Sequence, residues 1–74
     1  MGNEVDIAVG GRVRSRRILL DMSELKFADA LGVTLRTVRR YESGTDRIGA
    51  AQLLRISQVL RAAPSFFLDD NTQH

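Results

Sequence analysis

A Gly-Val-Thr joint at residues 32–34 is the feature that most constrains how this chain can fold. It separates two short segments whose apolar residues recur at helical spacing, which predicts a helix on each side. Gly32 suits the left-handed conformation that follows a helix C-terminus, and Thr34 can cap the next helix only two residues later. Because so short a turn does not allow antiparallel stacking, the two helices must cross steeply. The sequence therefore predicts a helix-turn-helix over about residues 23–42.

Helical spacing also dominates the rest of the chain. A first helix is predicted to run from Asp6, its expected N-cap, to about Leu20. A fourth is predicted over about residues 50–61, and Pro64 fits the first turn of a short fifth helix. In the first helix, the Gly10–Gly11 pair favours close packing of another helix over a phosphate cradle. The expected fold is an all-α, compact five-helix single domain over residues 1–74, with a polar tail at 69–74.

The composition argues against several classes of protein. The chain has no cysteine, and its single histidine is His74, so disulfides and a thiolate or imidazole metal site are not expected. No nucleophile has a base beside it, and Asp69–Asp70 has no base or metal partner, so no enzyme activity, catalytic residue, metal or cofactor is expected. No apolar run approaches the roughly 20 residues of a membrane span, and the N-terminus lacks the pattern of a secretory signal. A cytoplasmic protein without membrane association is the expectation.

Positive charge is concentrated in two stretches, although the net charge is only +2. Residues 12–17 and residues 33–47 hold four arginines each, and the second stretch follows the Gly-Val-Thr joint. Arg12, Arg14 and Arg16 are interpreted as a solvated face of the first helix that contributes diffuse attraction to a polyanion. The arginines after the joint fit either a solvated face or a helix that lies against a polyanion.

Four sequence elements, in order and at matching spacing, together resemble the phage-repressor and Cro-like (XRE) family of helix-turn-helix DNA-binding proteins. They are "GGRVRSRR", "SELKFADALGVT", "TVRRYESG" and "LLRISQVL", the last followed by "FF". The resemblance extends from about Val9 to Leu68. It implies a lambda-repressor-like fold of five helices and homodimers on pseudo-palindromic double-stranded operators. It also implies that the helix after the turn lies in the major groove.

The resemblance assigns roles to residues of this sequence. Those expected to read bases are Thr34, Leu35, Arg36 and Arg40. Those expected at or beside the DNA backbone are Ser23, Thr37, Arg39, Ser43, Gly44, Thr45 and Arg47. A structural ion pair is implied between Arg17 and Glu42, and it would tie the first helix to the third. Arginine at positions i and i+4 of one helix face suits bidentate pairing with guanine O6 and N7, which supports the assignment of Arg36 and Arg40.

Some residues depart from the family pattern. Glu24 places an acid where the family usually has glutamine, which puts one phosphate contact in doubt. Asp21 replaces a frequent glycine at the end of the first helix, and it can adopt a left-handed conformation, less readily than glycine does. Apolar residues also occur outside the expected core. A dimer or partner surface is expected from Leu19, Leu25, Leu54, Phe66, Phe67 and Leu68, with Ile48 also outside the core stripe.

Two functional hypotheses follow from the sequence. The first is a dimeric, sequence-specific DNA-binding transcriptional regulator, most simply a repressor. The second is a protein-interaction module on the same fold, antitoxin-like or an anti-activator, that uses the additional leucines to bind and silence a protein partner. The arginines of residues 36–47 favour the first, because a purely protein-facing surface does not need them.

Overall fold

The computed structural model describes residues 3–68, and over this range it is all-helical, as predicted. Its five helices are α1 (Glu4–Leu19), α2 (Glu24–Leu31), α3 (Leu35–Glu42), α4 (Ala50–Leu60) and α5 (Pro64–Leu68). The predicted polar tail, with Asp69–Asp70, lies outside the described residues. None of the helices within residues 3–68 has the length and apolar character needed to cross a membrane.

The helix-turn-helix is built by the local signals that the sequence predicts. The Ser23 side chain accepts a hydrogen bond from the Lys26 amide at 3.0 Å and caps α2. Gly32 is left-handed with φ 75°, and Thr34 then caps α3 by accepting from the Thr37 amide at 3.1 Å. These caps fix where one helix ends and the next begins.

The first helix begins earlier than predicted. Its N-cap is Asn3, whose side-chain oxygen accepts a hydrogen bond from the Asp6 amide at 2.9 Å. The prediction that Asp6 caps α1 is therefore wrong. Asp6 lies inside the first turn, where its carboxylate is buried. At the other end of the helix, Asp21 is left-handed with φ 58°, as expected.

The core brings apolar residues from all five helices together. Phe67 is completely buried, so the prediction that it belongs to a dimer or partner surface is wrong, because it anchors α5 to the core. Ile48 also packs against the core instead of lying outside it. The buried apolar residues are Val9, Val13, Phe27, Ala28, Leu31, Val38, Leu53, Ile56, Leu60 and Phe67.

Gly10 marks the closest approach between α1 and α3. A Cβ atom at this position would lie 2.2 Å from the Tyr41 carbonyl oxygen and 2.9 Å from the Glu42 carbonyl oxygen. Around Gly11, by contrast, a Cβ would meet nothing within 4 Å. The prediction that this glycine pair serves helix packing is confirmed for Gly10, since any side chain there would separate the two helices.

Arg16 is structural, and its interpretation as part of a solvated face is wrong. Its guanidinium donates to the carbonyl oxygens of Leu60 and Arg61, each at 2.8 Å. These carbonyls lie at the C-terminal end of α4, where helix carbonyls lack intrahelical partners and the helix dipole favours a cation. Arg16 therefore joins α1 to the end of α4. Arg14 remains exposed.

Candidate nucleic-acid interface

A buried ion pair holds α3 in its position on α1. Arg17 donates from Nε to Glu42 Oε2 at 2.6 Å and from Nη2 to Glu42 Oε1 at 3.0 Å, and from Nη1 to the Met22 carbonyl at 2.8 Å. The hydrogen bond with Glu42 raises the pKa of Arg17 although burial opposes it. The pair forms as the resemblance implies. Its bidentate geometry fixes the orientation of α3, while its net contribution to the stability of the fold is small.

The start of α3 presents three of the four residues that the resemblance assigns to base reading, and the fourth, Arg40, lies in the last turn. Thr34 and Arg36 are exposed, and Leu35 is half-buried. The Thr34 and Thr37 hydroxyls lie 3.0 Å apart, so both side chains lie at the start of the helix. These residues share a surface available to a large ligand, while their contacts with DNA stay a prediction.

Arg40 is held by a carboxylate from the loop that follows α3. It donates from Nε to Asp46 Oδ2 and from Nη2 to Asp46 Oδ1, both at 2.8 Å. Each side chain remains about two-fifths exposed, at 39% and 41%. The hydrogen bond from Arg40 lowers the pKa of Asp46, and the nearby charge of Arg36 acts in the same direction. The same hydrogen bond raises the pKa of Arg40.

Two further arginines of this surface are paired with acids. Arg39 Nε donates to Glu24 Oε1 at 3.2 Å, across the helix-turn-helix. Arg47 Nε donates to the buried carboxylate of Asp6 at 3.1 Å, while most of the Arg47 side chain stays exposed. Because Arg39 pairs with Glu24, it reduces the repulsion expected between Glu24 and a phosphate. Within residues 3–68, Arg36 makes no ion pair.

The loop after α3 folds back onto the helix end. The Thr45 amide donates to the Arg40 carbonyl at 3.0 Å, and the Ser43 and Thr45 hydroxyls lie 2.8 Å apart. Gly44 is left-handed with φ 79°, and a Cβ there would lie 2.5 Å from Ile7 Cα. Because Gly44 is buried against α1, its predicted place at the DNA backbone is not supported; it makes the turn that exposes Ser43.

Asp46 and Asp6 each hold an arginine of this surface, a role that the sequence did not predict for either residue. Asp46 follows Arg40 by six residues, and the intervening Gly44 turn brings the two side chains together. An arginine and an aspartate at this spacing, with a glycine between them, could have indicated the contact from the sequence. Asp6 meets Arg47 from 41 residues away, and nothing local to either residue indicates the contact.

The surplus apolar residues lie on separate helices. Leu19 ends α1, Leu25 lies in the first turn of α2 and Leu54 belongs to α4, and each is more than half exposed. Phe66 and Leu68 are also exposed on α5, where Phe66 packs edge-to-face on Phe67 with ring centroids 5.1 Å apart. Whether these residues form a dimer or partner surface stays a prediction.

The chain is similar to known helix-turn-helix proteins over most of its length. A helix-turn-helix family model matches residues 13–67, which is most of the chain. An uncharacterised HTH-type transcriptional regulator of Sinorhizobium medicae is 47% identical over 68 residues, covering 92% of this chain and 49% of that protein. An uncharacterised transcriptional regulator in the ATPase CF(0) region of Rhodospirillum rubrum is 35% identical over 68 residues, covering 92% of this chain and 63% of that protein. The chain thus spans about half the length of the first of these relatives.

Among solved structures, the P22 c2 repressor in complex with a synthetic operator superposes with a TM-score of 0.76 at 24% identity, covering 82% of this chain and 92% of that one. At this identity the similarity concerns the fold alone. Within that shared fold, α2 and α3 of this chain form the helix-turn-helix.

Proposed function

Since the chain belongs to the helix-turn-helix family of phage-repressor and Cro-like proteins, we propose that it is a sequence-specific DNA-binding transcriptional regulator, most simply a repressor. The observation that carries the proposal is the geometry of α3. The helix follows a capped three-residue turn, is held on α1 by the buried Arg17–Glu42 pair and presents Arg36 on its outer face. A rigid helix with an exposed cationic face fits the major groove of double-stranded DNA.

The chemistry of the surface divides into base and backbone contacts. Arg36 and Arg40 lie one turn apart and would each pair with guanine O6 and N7 through two parallel N–H groups. Leu35 would contact a thymine methyl. Hydroxyls and cations around them would bind the sugar-phosphate backbone. This backbone set is Ser23, Thr37, Arg39, Ser43, Thr45 and Arg47, while Thr34 stays with the residues proposed to read bases.

We also propose that residues 1–74 act as one domain that binds as a homodimer, because phage-repressor-type domains occupy two half-sites of a pseudo-palindrome. The relatives named as transcriptional regulators support DNA binding over enzyme activity. They do not favour the protein-interaction alternative, and the exposed leucines lie on separate helices.

The proposal is tested by the salt dependence of binding. A palindromic duplex is first enriched from random sequence by the purified protein, and its affinity is then measured by fluorescence anisotropy from about 50 to 200 mM salt. A dimer that neutralises about 6–10 phosphates gives a log-log slope of roughly −5 to −9. A shallow slope, or equal affinity for every duplex, would contradict sequence-specific binding through this surface.

A further inference from the structure

Asp46 limits which edge of Arg40 can meet a base. The carboxylate takes the Nε–Nη2 edge of the guanidinium through two hydrogen bonds of 2.8 Å. Arg40 then retains three N–H groups, and one from Nη1 and one from Nη2 lie parallel on its terminal edge. A bidentate contact with guanine needs two parallel N–H groups. The terminal edge is the one that remains for it.

The carboxylate that holds Arg40 is itself fixed by the loop. The Asp46 and Thr45 amides both donate to the Arg40 carbonyl, at 3.2 and 3.0 Å. The left-handed Gly44 packs on the backbone of Ile7, which ties this loop to α1. Asp46 therefore approaches Arg40 from a turn with several anchors, while both side chains remain partly exposed on the outer surface.

We propose that Asp46 is a specificity-determining residue of this surface, which orients Arg40 toward guanine and withholds it from phosphate. The inference rests on the proposed function. An unrestrained arginine has many rotamers and binds phosphate oxygens at any sequence. Restraint by Asp46 reduces that freedom before DNA binds, and its negative charge repels a phosphate at the same place. Both effects lower affinity for unmatched DNA more than for a site with guanine opposite Arg40.

The test compares Asp46→Asn with Glu24→Gln. The second variant is a matched control, because it also neutralises a carboxylate that is paired with an arginine of this surface. In Glu24→Gln the arginine affected is Arg39, which has a single contact of 3.2 Å. The base position that Arg40 reads is first located as the one at which Arg40→Ala loses its base preference. Competition binding then compares the selected palindrome with its three single-base variants at that position. Asp46→Asn is expected to reduce the guanine preference there by roughly tenfold, a large part of what one bidentate contact provides, and to bind unrelated duplexes several-fold more tightly. Glu24→Gln is expected to bind all duplexes more tightly while keeping the preference.

Retention of the full guanine preference in Asp46→Asn would overturn the inference and leave the proposed function standing. So would an Arg40→Ala protein that loses no base preference at any position. Absence of any sequence preference in the wild-type protein would instead refute the proposed function, and this inference with it. Circular dichroism verifies that Asp46→Asn is folded, and Asp46→Ser replaces it if it is not.

A second measurement examines the free protein. The Arg40 Nε–H resonance is expected to be resolved and slow to exchange with water in the wild type and in Glu24→Gln, and to exchange rapidly in Asp46→Asn. An equally rapid exchange in all three proteins would show that Asp46 does not restrain Arg40, and would overturn the inference without reference to DNA.

Discussion

Replacing Gly10 by alanine should separate the helix that presents the DNA-binding surface from the helix that supports it. The added Cβ would lie 2.2 Å from the Tyr41 carbonyl oxygen and 3.0 Å from the Glu42 carbonyl carbon. Both are backbone atoms of α3, so no side-chain rotation relieves the overlap. The backbones of α1 and α3 must therefore move apart.

The expected magnitude follows from two opposing effects. Alanine in a helix interior is favoured over glycine by about 1 kcal/mol. Overpacking of a close contact costs typically about 1–3 kcal/mol and occasionally more, and a backbone overlap lies at the upper end. The Gly10→Ala protein should therefore lose about 2 kcal/mol of unfolding free energy, since a cost of about 3 kcal/mol is offset by about 1 kcal/mol. In a domain of this size, that lowers Tm by about 4–8 °C per kcal/mol.

Gly11→Ala is the matched control, since the same substitution one residue along meets nothing within 4 Å. It should raise the unfolding free energy by about 0.5–1 kcal/mol. Urea and thermal unfolding, followed by circular dichroism at 222 nm, measure both variants. If the two variants change stability in the same direction by similar amounts, α1 and α3 do not approach each other as closely as described.

Three further predictions follow from the contacts. Glu42→Gln leaves the buried Arg17 without its charge partner and should cost about 3–5 kcal/mol in urea unfolding, whereas an apolar replacement of both residues should cost less; equal losses would contradict this. Arg61 is left-handed with φ 57°, so Arg61→Gly should raise the unfolding free energy by about 0.5–1 kcal/mol, and a loss of stability would argue against that conformation. The lowered pKa of Asp46 means that its pair with Arg40 contributes fully above the ordinary carboxyl pKa and is lost as pH falls through the lowered value. An NMR titration of the Asp46 carboxyl should therefore give a midpoint below the ordinary value of 3.8, and a midpoint at or above it would contradict the pair.

Local signals made the helix-turn-helix predictable from the sequence. Ser23 and Thr34 cap helices through contacts within three residues, and Gly32 turns the chain by its own backbone freedom. Such features depend only on neighbouring residues, so spacing and residue type are sufficient to locate them. The Arg17–Glu42 pair is not local, and the family resemblance supplied it.

The polar contacts between distant elements were not predictable in the same way. Asp6 has the residue type of an N-cap, and only the packing of α1 against the loop reveals its bond with Arg47. Nothing in the sequence distinguishes Arg16 from a solvated arginine, and only the fold places the C-terminal end of α4 beside it. Phe67 lies in an apolar run whose neighbours are exposed, and sequence alone does not decide which of them turns inward. In each case tertiary packing selects among roles that the residue type leaves open.

Paired selections of random duplex DNA, by the wild-type protein and by Arg36→Ala at about 150 mM salt, test most directly whether α3 reads bases. Arg14→Ala, which removes an exposed arginine from α1, controls for the loss of charge. The wild type and Arg14→Ala should enrich the same palindrome, with half-sites about one helical turn apart. Arg36→Ala should lose its preference at one position in each half-site. Enrichment of no sequence by the folded wild-type protein, or an unchanged palindrome with Arg36→Ala, would contradict base reading by α3.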